Sequence, residues 1–389
     1  MFQWEVPQLE KAGALTTATE IKQQPELWQE TLELYQKKAQ AFEDFMARLK
    51  EKHDRLRIIM TGAGTSAYVG ETALPALKAA HPDGFHDFEA IATTTLVAQP
   101  EAYFSPDVPT LLISYARSGN SPESVAAVRA GQKHCKHFYQ ITITCAAEGK
   151  LAQQAHGDQD NLLFLMPERS NDQGFAMTGS YTCMLLTTLL LFLPAAADEK
   201  AAIVKRIAEL GEEVLSRVAE LEAFLGEAFS RIVYLGSGSF AGLAQEVQLK
   251  ILELTAGEIA TVYESSLGFR HGPKSFVNPK TVVFTFKSND AYTRQYDLDI
   301  LQELAADDVA LKVVGVGAKK PEDFAGTNFN FTGEAGQLPD AYLALPLAMF
   351  GQTISLLASI QLGHEPDNPS PSGTVNRVVK GVTIHEEGE

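Results

Sequence analysis

One phrase occurs twice along this chain: a short apolar strand, a Gly-x-Gly turn with hydroxyls around it, then a helix. The first copy runs from Leu56 to Met60 and on through Thr61-Gly62-Ala63-Gly64-Thr65-Ser66; the second runs from Arg231 to Leu235 and on through Gly236-Ser237-Gly238-Ser239. A glycine pair lets backbone approach a ligand closely, and the free N–H groups that open the next helix favour negative charge. From Gly62 to the hydroxyl at the end of the third strand, Ser114, is 52 residues, and from Gly236 to Thr285 is 49. Matched spacing of this kind points to one α/β unit used twice, with phosphate the first ligand to consider.

Length and charge narrow the choice. With 389 residues, 45% of them hydrophobic, the chain has enough apolar surface for two cores. A net charge of −17 repels nucleic acid and anionic membranes, so neither is an expected partner, and an anionic substrate must be held by local donors. Cys135, Cys145 and Cys183 form no CxxC pair, which fits a reducing compartment. The start, Met1-Phe2-Gln3-Trp4-Glu5, has no basic segment followed by an apolar one. A cytoplasmic location is expected. The apolar run from Cys183 to Ala197 is too short for a membrane span and reads as a buried helix.

Periodicity divides the chain into a helical arm (1–48), a first α/β domain (49–197), a connecting helix (198–225), a second α/β domain (226–364) and a Pro-rich tail (365–389). Strands are expected at 56–60, near 88–95, and at 109–114, 138–145 and 161–166. They recur at 231–235, 281–286 and 311–316. Alternation with helices makes each domain a parallel sheet covered on both faces, a flavodoxin-like three-layer sandwich. Thr17 and Thr19 are candidate caps in the arm.

Four stretches carry candidate chemistry. Gly64, Thr65 and Ser66 suit a terminal phosphate better than the pyrophosphate of a dinucleotide, because Tyr68 and Val69 intervene before the next glycine. Ser114-Tyr115-Ala116-Arg117-Ser118-Gly119-Asn120-Ser121-Pro122-Glu123 crowds hydroxyls, an amide and a guanidinium onto one strand end and reads as a phosphate cup; the bland alternative is a capped turn. Thr178 and Ser180, opening the apolar helix, are placed to close that cup. Glu253, among Ile251, Leu252 and Leu254, is in company that disfavours its charge, which is useful for proton transfer. By itself it reads as a surface Glu. His271, before Gly272-Pro273, has the titration range for proton exchange. Lys380 reads as a solvated charge near a chain end.

These phrases resemble the sugar isomerase (SIS) family, whose two tandem domains bind phosphosugars, from about residue 50 onward. The opening around Trp28 and the Ser114–Ser124 phrase are most similar to its galactosamine-6-phosphate deaminase/isomerase group. The resemblance implies that Ser66, Ser118, Asn120 and Ser121 hold the phosphate with Arg117 alongside. It also implies that Glu253 moves a proton between C1 and C2, that His271 opens the sugar ring, and that Lys380 folds back over the sugar. Neither metal nor redox cofactor is implied. The expected partner is a hexosamine or hexose 6-phosphate, with a homodimer or dimer of dimers if His271 acts across an interface. One departure stands out: where glutamine-dependent glucosamine-6-phosphate synthase has an acidic residue, this chain has Gly268.

The leading expectation is deamination of galactosamine 6-phosphate to tagatose 6-phosphate. A plain aldose/ketose isomerase is the enzymatic alternative; a sugar-phosphate-sensing regulator, which would be expected to lack Glu253 and His271, is the non-enzymatic one. A nicotinamide dehydrogenase is a distant third. His134-x-x-His137 lacks metal-ligand spacing and reads as a surface patch, and Asp83-x-x-His86-Asp87 reads as loop capping.

Overall fold

A computed structural model describes residues 2, 4–226, 228–370, 372–373, 375–377 and 381–386. Lys380 lies outside the described residues. Two compact units emerge, and neither is a single stretch of chain. The first holds Leu27–Asp172, Gly179–Ala195 and Gly373–Glu389; the second holds Met1–Glu26, Gln173–Thr178 and Ala196–Ser372.

The first unit is built on β1 (Leu56–Thr61), β2 (His86–Ala90), β3 (Thr110–Ala116), β4 (Phe138–Thr144) and β5 (Asn161–Leu165), in the order β2-β1-β3-β4-β5. All its pairings are parallel. β3 is buried at every residue, as a central strand covered on both faces must be. Thr93–Thr95, read from sequence as the end of an extended stretch, instead open the short helix Thr93–Ala98. The apolar helix Gly179–Phe192 is buried along its whole length and packs on the helix Thr65–Ala80.

The second unit repeats the pattern with β6 (Arg231–Leu235), β7 (Ala260–Glu264), β8 (Thr281–Lys287), β9 (Lys312–Ala318) and β10 (Thr327–Phe331), in the order β10-β9-β8-β6-β7. Counted from each unit's first strand, the two orders are the same. Its longest apolar helix, Asp340–Gln361, has the length and composition to cross a membrane, yet 94% of its most apolar window is buried inside the protein. It is a core helix. Gly351 is what lets the helix Ser239–Leu254 come close, since a Cβ there would stand 2.2 Å from Val247 Cγ1.

The arm is helical, as its periodicity implies, but its cap comes from elsewhere. Asp367 accepts hydrogen bonds from Thr16 N (2.9 Å), Thr17 N (2.8 Å) and Thr17 Oγ1 (2.7 Å), so a residue some 350 positions away closes the start of the helix Leu15–Lys22. Thr17 is therefore a donor to the cap, and the Thr19 hydroxyl bonds back to Leu15 O within the helix.

Candidate active site

In an open parallel sheet, ligands bind outside the carboxyl ends of the strands where the strand order reverses. In the first unit that point lies between β1 and β3, and register places Thr61 beside Ser114. The Gly turn and the serine-rich phrase are thus neighbours across one crevice. Gly64, at φ 56° and ψ −130°, adopts a backbone that side chains resist and opens the helix Thr65–Ala80. Gly62 has no room for a side chain, because a Cβ would stand 2.4 Å from the Ser66 carbonyl carbon. Thr65 and Ser66 are buried in the first turn of that helix.

The facing loop is built as tightly. Arg117 is buried and donates to the backbone carbonyl of Arg377, whose own guanidinium donates to Asp172 O (2.9 Å). Ser118 Oγ accepts from Asn120 N (3.3 Å), and Gly149 is glycine because the Ser118 carbonyl would be 2.3 Å from its Cβ. Asn120 Oδ1 accepts from Lys150 N (3.1 Å), capping the start of the helix Lys150–Ala155 and leaving its amide NH2 as the group for a ligand. Ser121 precedes the helix Pro122–His134, with its hydroxyl 2.6 Å from that of Ser124. Asn120 also lines a cavity of about 280 Å³ with Arg129, Lys133, Lys150 and Glu386, where three cations against one carboxylate give local charge opposite to the chain's overall negative charge.

Ser180 and Thr178, the expected third wall of this cup, have partners of their own. Ser180 is fully buried and its hydroxyl donates to Asp172 Oδ2 (2.5 Å), while Asp172 also accepts from Gly179 N (3.1 Å) and Ser180 N (3.0 Å). The start of the helix Gly179–Phe192 already faces an anion, the protein's own carboxylate. Thr178 belongs to the second unit, where it is buried and its carbonyl faces Gln352 Nε2 at 3.5 Å.

The second unit has the same crevice between β6 and β8, with Leu235 beside Thr285 and with Gly238 at φ 60° and ψ −128°, nearly the angles of Gly64. Here the donors are spent on two carboxylates. Asp297 accepts from Ser266 Oγ (2.5 Å), Ser288 N (2.9 Å) and Ser237 Oγ (3.2 Å); Asp340 accepts from Ser288 Oγ (2.5 Å) and Asn289 N (2.7 Å). Burial pushes Asp297 up to about 6 against those hydrogen bonds, and burial likewise raises Asp340. The donors Ser237, Ser266, Ser288 and Asn289 of this unit are thus already bonded to the protein's own carboxylates.

Glu253 is the penultimate residue of the helix Ser239–Leu254, and its surroundings correct the expectation of apolar company. Its side chain is 24% exposed, next to an exposed Leu252, and its Oε2 accepts from Lys250 Nζ at 2.6 Å. Lys250 is itself buried and lies 3.6 Å from the buried Glu246. Two carboxylates and an ammonium therefore form a line on one helix face at i, i+4 and i+7. Lys250 and Glu246 were legible only as helix positions, and the i, i+3, i+4 spacing of opposite charges was the available signal. His271 follows the turn Gly268–Arg270, its N–H bonded to Gly268 O (2.9 Å), with its loop anchored at Ser266 by Asp297. Gly268 has a steric reason to be glycine: a Cβ would stand 2.5 Å from Glu264 Oε1, so the Glu264 carboxylate already occupies the space beside it.

With this geometry in view, the comparisons with known proteins decide the family. A D-galactosamine-6-phosphate deaminase AgaS from Shewanella sp. (strain ANA-3) is 41% identical over 379 residues, 97% of this chain and 94% of that one. The Escherichia coli D-galactosamine-6-phosphate deaminase AgaS is 42% identical over 371 residues, 95% of each. The chain belongs to the AgaS D-galactosamine-6-phosphate deaminase family. A solved structure of tagatose-6-phosphate ketose/aldose isomerase from Escherichia coli superposes with a TM-score of 0.86 at 38% identity, covering 95% of this chain and 97% of that one. The two tandem parallel sheets agree with that membership. No family model matches the chain.

Proposed function

We propose that the chain converts galactosamine 6-phosphate and water to tagatose 6-phosphate and ammonia. The observation that carries this reading is full-length similarity to AgaS deaminases in a chain that keeps both Glu253 and His271. The first unit's crevice takes the phosphate, with Ser66, Ser118, Asn120 and Ser121 as donors around two helix N-termini and Arg117 supporting the loop. Glu253 and His271 carry the proton transfers.

His271 takes the proton of the C1 hydroxyl and returns one to the ring oxygen, opening the sugar. Glu253 then removes the C2 proton; the electron pair left on C2 forms the C1–C2 double bond while the C1 carbonyl pair moves to O1, which takes up a proton, giving an enolamine. Return of the proton to C1 gives a C2 imine. Water adds at C2 and ammonia leaves, producing the ketose. With a hydroxyl in place of the amine the same shuttle is a plain isomerisation, the second reading, favoured by the name of the Escherichia coli structural neighbour. Lys250, 2.6 Å from Glu253, is placed to set the charge of that carboxylate through the cycle. Lys380 is the third candidate, orienting a hydroxyl or the developing enolate. A cytoplasmic homodimer or dimer of dimers, with His271 acting across the interface, completes the proposal.

The test is direct. Purified protein is incubated with galactosamine 6-phosphate and, separately, glucosamine 6-phosphate while ammonia is followed; release from the galacto substrate is the expected result. No ammonia from either substrate overturns the deaminase reading, and interconversion of galactose 6-phosphate with tagatose 6-phosphate in the same preparation installs the isomerase instead.

A further inference from the structure

His81, Asp83 and His86 come together where the helix Thr65–Ala80 ends and β2 begins, and one ligand atom of each lies within 4.8 Å of the others. Three details give this cluster the chemistry of a cation site. The first concerns His81. Its Nε2 is 2.6 Å from the backbone carbonyl of Phe192, and because a carbonyl only accepts, Nε2 carries the proton and Nδ1 is left with a lone pair. A ring held in this way, donating through one nitrogen to a backbone carbonyl, is how metal-ligating histidines are oriented.

The second detail is His86 Nδ1. It is buried with no hydrogen-bond partner, and its nearest charged neighbour is Asp83 Oδ1 at 3.6 Å, within ion-pair reach of a protonated ring but long for a hydrogen bond. A buried polar atom in that state costs free energy unless something else satisfies it. Two ligands of one tetrahedral zinc, bound at the usual lengths, sit about 3.3–3.6 Å apart. The gap between His86 and Asp83 therefore matches the edge of a coordination tetrahedron and does not match a hydrogen bond.

The third detail is the surrounding shell. His86 lies parallel to Phe88 with ring centres 5.7 Å apart, Phe88 meets Phe192 edge-on at 5.4 Å, and Phe85 closes the other side of His86 at 4.8 Å. An apolar wall raises the strength of ligand–cation attraction inside it. The Asp83 side chain is 46% exposed; its Oδ1 accepts from Phe85 N (3.3 Å), the loop cap expected from sequence, and its Oδ2 is left for an ion.

We propose that His81, Asp83 and His86 bind one divalent transition-metal ion, with zinc the best match to two imidazoles and a carboxylate, and with water in the fourth position. The ion staples the end of the helix that begins at Thr65-Ser66 to the edge strand β2. Its role is structural, since no group of the phosphate crevice belongs to the cluster. The inference stands apart from the proposed reaction: it rests on these three residues alone.

The experiment uses the full-length protein stripped with a chelator and dialysed. Zinc chloride is titrated by calorimetry and the thermal midpoint is followed in parallel. Cobalt(II) is then added to a second sample, to read visible d–d bands of a low-symmetry site. One zinc per chain, a midpoint raised by several degrees and loss of both in Asp83→Asn are expected. His86→Gln gives a second variant, and because Asp83 is exposed, Asp83→Asn keeps the fold and leaves ammonia release unchanged. No heat and no midpoint shift in the stripped protein overturns the proposal. Binding that persists unaltered in Asp83→Asn also overturns it, by placing the metal elsewhere, for instance at His134 and His137.

Discussion

At the scale of single residues, the distinction that matters is between carboxylates that complete a structure and one that is placed to react. Glu253 is partly exposed and tethered to Lys250, so Glu253→Gln preserves shape while removing the base. Ammonia release should fall by about 10²–10⁴-fold with the thermal midpoint and substrate binding kept. Activity within tenfold of wild type would take the base role away from Glu253. Asp297 is of the other kind. Its folded-state pKa, about 6, lies above that of an unfolded aspartate, so the folded state binds the proton more tightly. The contribution is therefore most favourable at low pH, and stability falls as pH rises from about 4 to about 6, by about 3 kcal/mol, then levels off. Asp297→Asn should abolish that slope, checked by urea melts across this window. A wild-type-minus-variant difference that does not change with pH would show that the burial of Asp297 is relieved some other way.

At the scale of elements, the glycines that matter are those with no room for a Cβ. Gly62 faces the Ser66 backbone and Gly351 faces the Val247 side chain. Gly351→Ala overpacks the contact between the helices Asp340–Gln361 and Ser239–Leu254 and should cost about 1–3 kcal/mol in chemical denaturation with KM unchanged. Gly62→Ala disturbs the turn of the phosphate crevice, so its expected signature is a raised KM for the sugar phosphate. If both variants changed only stability, the Gly62 turn would be a packing device and not part of a binding site. The central strands were legible because buried apolar runs between turn residues read the same in any context. The edge strands β7 and β10 escaped the sequence reading, since Ala260–Glu264 and Thr327–Phe331 are partly exposed and polar at alternate positions, as edges tend to be. The helix Ala291–Asp307 escaped too, its apolar residues making no sustained stripe.

At the scale of the whole molecule, the tandem repeat has become two units with the same strand order and different contents. If His271 serves a neighbouring chain, mixing Glu253→Gln with His271→Ala subunits should recover part of the activity that neither has alone. Recovery absent from verified mixed oligomers would confine each active site to one chain. The sequence by itself determined the two parallel sheets, their crevice-forming glycine turns and the serine-rich loop at β3. All of these follow from patterns only a few residues long, namely strand burial, turn conformation and helix starts. Only the tertiary structure decided which carboxylate meets which donor. Asp297 reaches Ser237, Ser266 and Ser288, Asp172 takes up Ser180, and Asp367 caps the helix at Thr17. The separations run from eight residues, for Asp172 and Ser180, to 350, for Asp367 and Thr17, and no helix or strand period marks any of them. Buried donors must be satisfied by whatever acceptor the packing brings near, and a donor already bonded to a carboxylate is not available to a phosphate.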